Sequence, residues 1–348
     1  MWAQVVKVLG MAGFDIIGDI HGCADELEQL LDQLGYRIDL VTGAYRHESR
    51  HALFVGDLVD RGPAQLRVLE IVKGMVDEGF AQIVMGNHEF NALAYATEDP
   101  EQPGHFLRPQ SEKNLVQHEA FLTQLTQEQR EHYLAWFITM PLWLDTADLD
   151  SHQLRVVHAC WHEPSINRIK ELLGGSRFTS PDQLAEAARK SEEPDSLYRA
   201  VDTVLKGPEL RLARYGAPPF MDKDGHVRKD ARVRWWKSGA KTVAELAEVP
   251  GDSRTQAGEP YGELPDVEVD AQDRSFSYAS PVPVFYGHYW RTDVPVEHED
   301  WTPTTACVDF SAVKGGTLVA YRWDGERTIN WRRYHPHGRN LIERSPSS

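Results

Sequence analysis

Three strand–loop–helix units follow one another in the first hundred residues, and they restrict the fold more than any other feature. Apolar runs of strand length occur at Phe14–Ile17, Ala52–Val55 and Ala81–Met85, and each is followed by a glycine-containing loop and a helical pattern. Strands that alternate with helices are typical of an α/β architecture. In an open α/β sheet the functional loops lie at the carboxyl ends of the strands. The chain is therefore predicted to be an α/β protein with a site at that edge.

Side chains that bind divalent metals occupy these three loops and two later ones. They are Asp19, His21, Asp57, Asn87, His88, His158 and His288. Oxygen and imidazole ligands without thiolate suit manganese, iron or zinc. A single histidine of this kind is more often a hydrogen-bonded core residue, but five such loops at successive strand ends argue against that interpretation.

The charge balance excludes some classes of partner. The 348 residues contain 37 Lys and Arg against 53 Asp and Glu, a net charge of −16. This balance argues against broad nucleic-acid binding, which needs a basic surface. A phosphorylated substrate stays compatible with it, because bound metal reverses the local charge.

The cellular compartment is predicted from composition. No apolar run reaches the 18 residues typical of a membrane-spanning helix, and no signal peptide is recognised at the start of the sequence. The three cysteines are odd in number and far apart, as expected in a reducing compartment. We therefore expect a soluble, cytoplasmic protein with no membrane partner.

The five loop motifs GDIHG, GDLVDRG, GNHE, HAC and GHY resemble the metal-binding motifs of the calcineurin-like metallophosphoesterases. They are similar in particular to the phosphoprotein phosphatase (PPP) branch and its bacterial relatives. Many other members end in G-H-x-H, whereas Trp290 stands here in place of the second histidine. The resemblance implies a sandwich of two mixed β-sheets flanked by helices, with a dinuclear metal site at the strand ends.

The resemblance also implies a ligand set for two divalent ions, with manganese as the first choice and iron or zinc as alternatives. Asp57 bridges the two ions in this scheme, because one anion between two cations offsets their repulsion. Asn87 is expected to contact the substrate as well. The six expected ligands are Asp19, His21, Asp57, Asn87, His158 and His288.

The catalytic residues follow from the same resemblance, which implies phosphoester hydrolysis by direct attack of a metal-bridging hydroxide. Arg61 would bind phosphate oxygens, His88 would protonate the leaving oxygen, and Asp60 would orient His88. Related phosphatases use a second phosphate-binding arginine, for which we expect Arg234. Strand alternation places Arg232 on the same face, so Arg232 is the alternative.

The chain is expected to form a single domain over 12–335, followed by a flexible tail at 336–348. Residues 164–280 are rich in proline, glycine and charge and are predicted to be an insertion, or a lid-like segment, that determines substrate choice. Within it, Trp235 and Trp236 are expected to pack in the core, with stacking on a nucleobase as the alternative.

Local patterns add two further expectations about secondary structure. Pro63 is expected to open the second helix, and residues 111–137 are expected to form one helical stretch. The strand-rich C-terminal part has turn signals at GG and WDGE, which predict hairpins there.

The first functional hypothesis is a metal-dependent phosphatase acting on phosphoprotein monoesters of the Ser/Thr or Tyr type. The alternative is a pyrophosphohydrolase that cleaves dinucleoside polyphosphates, such as diadenosine tetraphosphate, or RNA 5′ ends. The expected partner is accordingly a phosphorylated protein or a small phosphorylated or nucleotide substrate. A non-catalytic binding module is disfavoured because such proteins usually lose metal ligands, and none is missing here.

Overall fold

The fold combines two β-sheets with helices on their outer faces. A computed structural model describes residues 13–146, 153–222, 225–293 and 295–338. Its strands are β1 (Gly13–Ile17), β2 (Arg37–Ile38), β3 (Tyr45–Arg46), β4 (Arg50–Phe54), β5 (Ala81–Ile83), β6 (Trp143–Asp145), β7 (Arg155–Val157), β8 (Glu209–Arg211), β9 (Phe220–Met221), β10 (Val227–Arg228), β11 (Asp230–Val233), β12 (Ala247–Glu248), β13 (Val284–Tyr286), β14 (Trp301–Thr302), β15 (Thr305–Cys307), β16 (Val319–Trp323) and β17 (Tyr334–Pro336).

The helices lie mainly between the strands of the first half and in the segment that follows β7. They are α1 (Ala24–Leu34), α2 (Gln65–Asp77), α3 (Asn87–Ala96), α4 (Glu112–Gln124), α5 (Gln127–Phe137), α6 (Glu163–Leu173), α7 (Pro181–Ala188), α8 (Leu197–Lys206), α9 (Val243–Leu246) and α10 (Ala271–Arg274). None of these helices is long and apolar enough to cross a membrane within the described parts of the chain.

Both large sheets are five-stranded and mixed. The first has the order β17-β16-β1-β4-β5, in which β1, β4 and β5 are parallel and β16 runs antiparallel to β1. The second has the order β14-β15-β13-β7-β6, with β7, β13 and β15 parallel to one another. The predicted α/β class with two mixed sheets is confirmed.

An apolar layer joins the two sheets into a sandwich. Ile16 and Leu53 of the first sheet share one buried cluster with Val156 and Phe285 of the second. The larger cluster on the outer side includes the helical leucines Leu27, Leu30, Leu31 and Leu34, all on α1 as their spacing predicts.

Residues 164–280 have two parts with different packing. Helices α6 and α8 join the main core through Ile166, Ile169 and Val204. Strands β12, β11 and β8 instead form a separate three-stranded sheet with its own small core, which includes Leu210 and Val233.

The structure corrects three local expectations. Helix α2 begins at Gln65 and not at Pro63. The stretch 111–137 is two helices, because the side chain and backbone of Thr126 form a capping box that starts α5 anew. The GG hairpin is wrong, since β15 and β16 belong to different sheets, whereas the WDGE segment does connect the antiparallel strands β16 and β17. Residues 339–348 of the predicted tail lie outside the described residues.

Candidate metal centre

The loops after five strands meet at one edge of the sandwich. The strands are β1, β4 and β5 of the first sheet and β7 and β13 of the second. All seven side chains singled out as metal-type ligands lie there and are buried, at most 8% exposed: Asp19, His21, Asp57, Asn87, His88, His158 and His288.

Asp57 lies at the centre of this cluster. Its Oδ1 is 3.4 Å from Nε2 of His158, and its Oδ2 is 3.5 Å from Nε2 of His21 and 3.9 Å from Nε2 of His88. Two ligand groups of metal-binding size result, one with His21 and His88 and the other with His158 and His288, and Asp57 belongs to both. This geometry can hold two cations that share one carboxylate.

Two histidines have their tautomers fixed by backbone carbonyls. Nδ1 of His21 donates to the carbonyl of Val59 at 2.7 Å, and Nδ1 of His158 donates to that of Val55 at 2.8 Å. Each Nε2 therefore faces the cluster and is available as a ligand atom, an arrangement common for metal-binding histidines. Burial, with the charge of His88, lowers the pKa of His21 to about 3, so its ring is neutral.

Asn87 and Asp19 complete the polar surface of the cluster. Oδ1 of Asn87 lies 3.0 Å from Nε2 of His158 and 2.7 Å from Nδ1 of His288. Oδ2 of Asp19 accepts from the backbone N–H of His288 at 3.0 Å, whereas its Oδ1 is buried without a partner among the described residues. A Cβ at Gly287 would lie 2.0 Å from that Oδ1, so only glycine fits there.

The cluster concentrates buried negative charge. Burial raises the pKa of Asp19 well above its usual value, and the carboxylates of Asp309 and Asp57 add to the rise. Burial and Asp57 also raise the pKa of Glu89 to about 7. In contrast, His158 and His88 hold the pKa of Asp57 well below its usual value despite burial. Adjacent buried carboxylates of this kind are stabilised by cations.

His88 and Asp60 form a hydrogen-bonded pair beside the cluster. Nδ1 of His88 is 2.5 Å from Oδ2 of Asp60, and Nδ1 of His118 is 2.9 Å from the same oxygen. Asp60 is fully buried, yet these two hydrogen bonds outweigh burial and lower its pKa. Asp60 can therefore stay ionised and direct Nε2 of His88 toward the cluster.

Arg61 lies at the exposed rim of the cluster and rests on Trp290. Its guanidinium carbon is 4.1 Å from the centroid of the Trp290 ring, and its Nη1 is 3.1 Å from Nε2 of His21. The Trp290 ring also stacks on His21 at 5.6 Å, and Nζ of Lys314 lies 4.1 Å from its centroid. Trp290 thus holds a cationic side chain over the site by a cation–π contact.

Arg232 contacts the cluster, whereas the contact found for Arg234 is with Glu299. Nη1 of Arg232 donates to the backbone carbonyl of His288 at 3.4 Å. Nε of Arg234 is instead 3.6 Å from a carboxylate oxygen of Glu299. The reason is that β11 ends at Val233, so the strand alternation expected to place both arginines on one face stops before Arg234.

Trp235 and Trp236 are fully buried, 0% and 1% exposed, and contact Tyr286 and Tyr289. Core packing, the first interpretation of these two residues, agrees with this burial, and neither ring is free to stack on a base.

Several residues of these loops have positive φ angles, which are uncommon for residues other than glycine. Six non-glycine residues of the site have left-handed φ angles between 47° and 73°: His21, Asp57, Asp60, Arg61, His288 and Trp290. Conformations of this kind cost about 1–3 kcal/mol each and are retained where the surrounding contacts impose them.

Three residues of the site were missed by sequence reasoning. Glu89 accepts hydrogen bonds from the backbone N–H groups of Gly86, Asp57 and Leu58, and thereby ties the second and third loops together. Asp309 accepts from the N–H of Trp290 at 2.7 Å. The sequence contained a signal for two of them, because Glu89 lies in the GNHE motif and Asp309 follows the strand β15. His118 lies within α4, where no motif marks it as a site residue.

Comparisons with known proteins show which family the chain resembles. A family model described as calcineurin-like phosphoesterase matches residues 13–205. The bis(5′-nucleosyl)-tetraphosphatase (asymmetrical) PrpE of Oceanobacillus iheyensis is 49% identical over 75 residues, which are 21% of this chain and 29% of that protein. PrpE of Bacillus subtilis is 34% identical over 151 residues, 42% of this chain and 57% of that protein. The chain thus spans less than two thirds of the length of these curated relatives.

A solved structure of a cold-active protein tyrosine phosphatase aligns with 97% of this chain and 83% of its own, at 15% identity and a TM-score of 0.45. Because the family match covers more than half of the sequence, the chain belongs to the calcineurin-like phosphoesterase family, which confirms the resemblance of the motifs.

Proposed function

We propose that this calcineurin-like phosphoesterase hydrolyses dinucleoside polyphosphates of the diadenosine tetraphosphate type, with two divalent cations bound at the centre around Asp57. The observation that carries the proposal is the pair of ligand groups that share Asp57. The substrate class is supported by the two PrpE relatives, which are named bis(5′-nucleosyl)-tetraphosphatases. The names of these relatives favour a dinucleotide substrate over the phosphoprotein substrate that was expected first. The dinucleotide substrate is therefore the one proposed.

The donor set fits two cations. Asp19 offers a buried carboxylate oxygen that has no partner among the described residues. His21 and His158 each present an Nε2 atom whose opposite ring nitrogen donates to a backbone carbonyl. The proposed ligands are Asp19, His21, Asp57, Asn87, His158 and His288, whereas His88 of the first ligand group is assigned to proton transfer. Manganese remains the proposed metal, with iron or zinc as the alternatives, since oxygen and imidazole donors suit all three.

Bound there, the cations would stabilise negative charge on the phosphoryl group and lower the pKa of a water molecule. Arg61, on its Trp290 support, binds phosphate oxygens at the rim, and Arg232 beside His288 provides a second cation. Asn87 contributes its amide group to the same phosphate.

His88 donates a proton from Nε2 to the departing oxygen. Its Nδ1 is 2.5 Å from Oδ2 of Asp60, and this hydrogen bond orients the ring so that Nε2 is directed toward the cluster. His118, through its own contact with Asp60, orients that carboxylate and is a positioning residue.

A substrate panel tests the proposal. The protein reconstituted with Mn²⁺ is given diadenosine tetraphosphate, a phosphoserine and a phosphotyrosine peptide, an RNA with a 5′-triphosphate and nitrophenyl phosphate. We expect the highest kcat/KM for diadenosine tetraphosphate, and Asp57→Asn serves as the inactive control. A higher kcat/KM for either phosphopeptide would overturn the proposed substrate and restore the phosphoprotein hypothesis.

A further inference from the structure

A groove of about 880 Å³ lies between the main domain and the segment after β7. One side is formed by Phe90, Asn91 and Ala94 of α3 and by the connection from Asp99 to Ser111. The other side is formed by the end of α7 and by α8, including Tyr198 and Lys206. Its volume falls within the range of small-molecule sites, which is about 300–1,000 Å³.

The charged residues that line the groove are mainly cations, although the net charge of the chain is −16. Asp99 is the one carboxylate among the described lining residues, and the lysines and arginines there are Arg108, Lys113, Arg189, Lys190 and Lys206.

Two of these cations are already paired. Arg189 binds Asp99 and Glu101, and Lys206 binds Asp202. Lys113 and Lys190 are exposed and have no ion pair within the described ranges, so they give the groove its excess of positive charge.

Arg108 lies between the groove and the helices that carry or contact the His88–Asp60 pair. Its Nη1 donates to Oδ1 of Asn91 at 3.3 Å and its Nη2 to Oε1 of Gln117 at 2.7 Å, while its buried Nε has no partner among the described residues. Asn91 lies three residues after His88 on α3, and Gln117 precedes His118, which contacts Asp60. Through Arg108 the groove is therefore linked to the helices that carry His88 and His118.

We infer that this groove binds the nucleoside polyphosphate that leaves during hydrolysis, with its phosphates against Arg108, Lys113 and Lys190 and its nucleoside against Tyr198. The inference rests on the proposed function and adds the location of the leaving portion. A chain of several phosphates matches a row of cations, whereas a phosphopeptide carries one phosphoryl group that the metal centre already takes. Tyr198 is half-buried and offers an aromatic face for the base.

A double charge reversal, Lys113→Glu with Lys190→Glu, tests the phosphate part. The matched control is Lys229→Glu with Lys241→Glu, which changes the net charge equally at exposed lysines that do not line the groove. We expect the groove variant to raise KM for diadenosine tetraphosphate about tenfold, since a charged cleft concentrates substrates of opposite sign. The control variant, and kcat/KM for nitrophenyl phosphate in both variants, should change less than about twofold.

Calorimetric binding of ATP and of inorganic tripolyphosphate, in EDTA without turnover, separates this inference from the proposed function. Wild type should bind both, the groove variant should bind both about tenfold more weakly, and Tyr198→Ala should weaken ATP alone. If wild type binds neither ligand, or if the groove and control variants bind equally, the inference is overturned.

Two further outcomes would separate the groove assignment from the proposed function. Suppose that the wild type does not hydrolyse diadenosine tetraphosphate but binds tripolyphosphate, and that the groove variant loses this binding. The proposed function would then be refuted, whereas the assignment of the groove to polyphosphate would stand. A groove variant that binds ATP normally but hydrolyses phosphopeptides poorly would refute the groove assignment in favour of a peptide site.

Discussion

The metal loops and the segment of residues 164–280 are built in opposite ways. Each metal loop is a few residues long, follows a core strand, and places buried side chains such as Asp57 and His158 within hydrogen-bonding distance of its neighbours. The 164–280 segment contributes exposed or half-buried cations and Tyr198 from a helix that packs on the main core, while its strands enclose a separate core. The side chains of the candidate metal centre are therefore encoded in short motifs, whereas the side chains of the proposed groove are distributed over the fold.

The family match ends at residue 205, next to the last residue of α8. The helical part of residues 164–280 therefore lies within the matched range, and the strands of the separate core lie beyond it. We propose that the insertion proper begins after α8 and not at 164.

The largest effect is expected at the carboxylate shared by both ligand groups. Asp57→Asn should reduce kcat by several orders of magnitude on every substrate, because two cations lose their common anion. Elemental analysis should find fewer than two metal ions per chain, with circular dichroism unchanged. Retained activity with full metal content would remove Asp57 from the centre of the site.

A loss that depends on the leaving group is expected at His88. His88→Ala should slow hydrolysis of phosphoserine about 10²–10⁴-fold and that of nitrophenyl phosphate far less, since nitrophenolate leaves without a proton. His118→Gln is the matched variant, which keeps His88 and removes one hydrogen bond to Asp60, and should cost about tenfold. Equal losses on both substrates in His88→Ala would contradict proton donation.

The next largest effect is expected at Arg232, and Arg234 serves as its matched control. Arg232→Ala should lower kcat/KM about 10- to 100-fold, because a hydrogen bond to a charged phosphate contributes about 1.5–3 kcal/mol. Arg234→Ala, whose side chain faces Glu299, should change it less than about twofold. The reverse order would restore Arg234 as the phosphate ligand.

The smallest effect on activity is expected at the buried tryptophans. Trp236→Ala should lower the free energy of unfolding by about 3–5 kcal/mol, as for other large-to-small core changes. The ratio of kcat/KM for diadenosine tetraphosphate to that for nitrophenyl phosphate should stay constant. Chemical denaturation and steady-state kinetics on the same sample measure both, and a changed ratio would give Trp236 a role in substrate choice.

The candidate metal centre could be located from the sequence because its side chains lie within five residues of a strand end in recognisable runs. Asp19 and His21, or Asn87 and His88, need only local sequence to be found. The choice between Arg232 and Arg234 was not accessible in this way, because it depends on the residue at which β11 stops. The carbonyl of Val233 accepts the N–H of Trp235, which bends the chain at that point.

Long-range packing explains the other misses. His118 meets Asp60 only because α4 packs on α2 and its neighbouring loop, 58 residues away in sequence. The groove likewise joins α3 to α8 across about a hundred residues, and its cations carry no motif. Hairpin signals failed at GG because the turn composition does not determine which sheet the next strand enters.

The left-handed residues of the metal loops have an evolutionary consequence. Each of the six holds a backbone conformation that glycine adopts more readily, although each carries a side chain that lies in the candidate metal centre or beside it. Selection for stability alone would favour glycine at such positions, whereas selection for turnover opposes it. In descendants of this chain that no longer need the activity, substitution by glycine at Arg61 or His288 should therefore be among the earliest changes to become established. The same positions should be prominent among stabilised but inactive clones in a laboratory screen for thermal resistance.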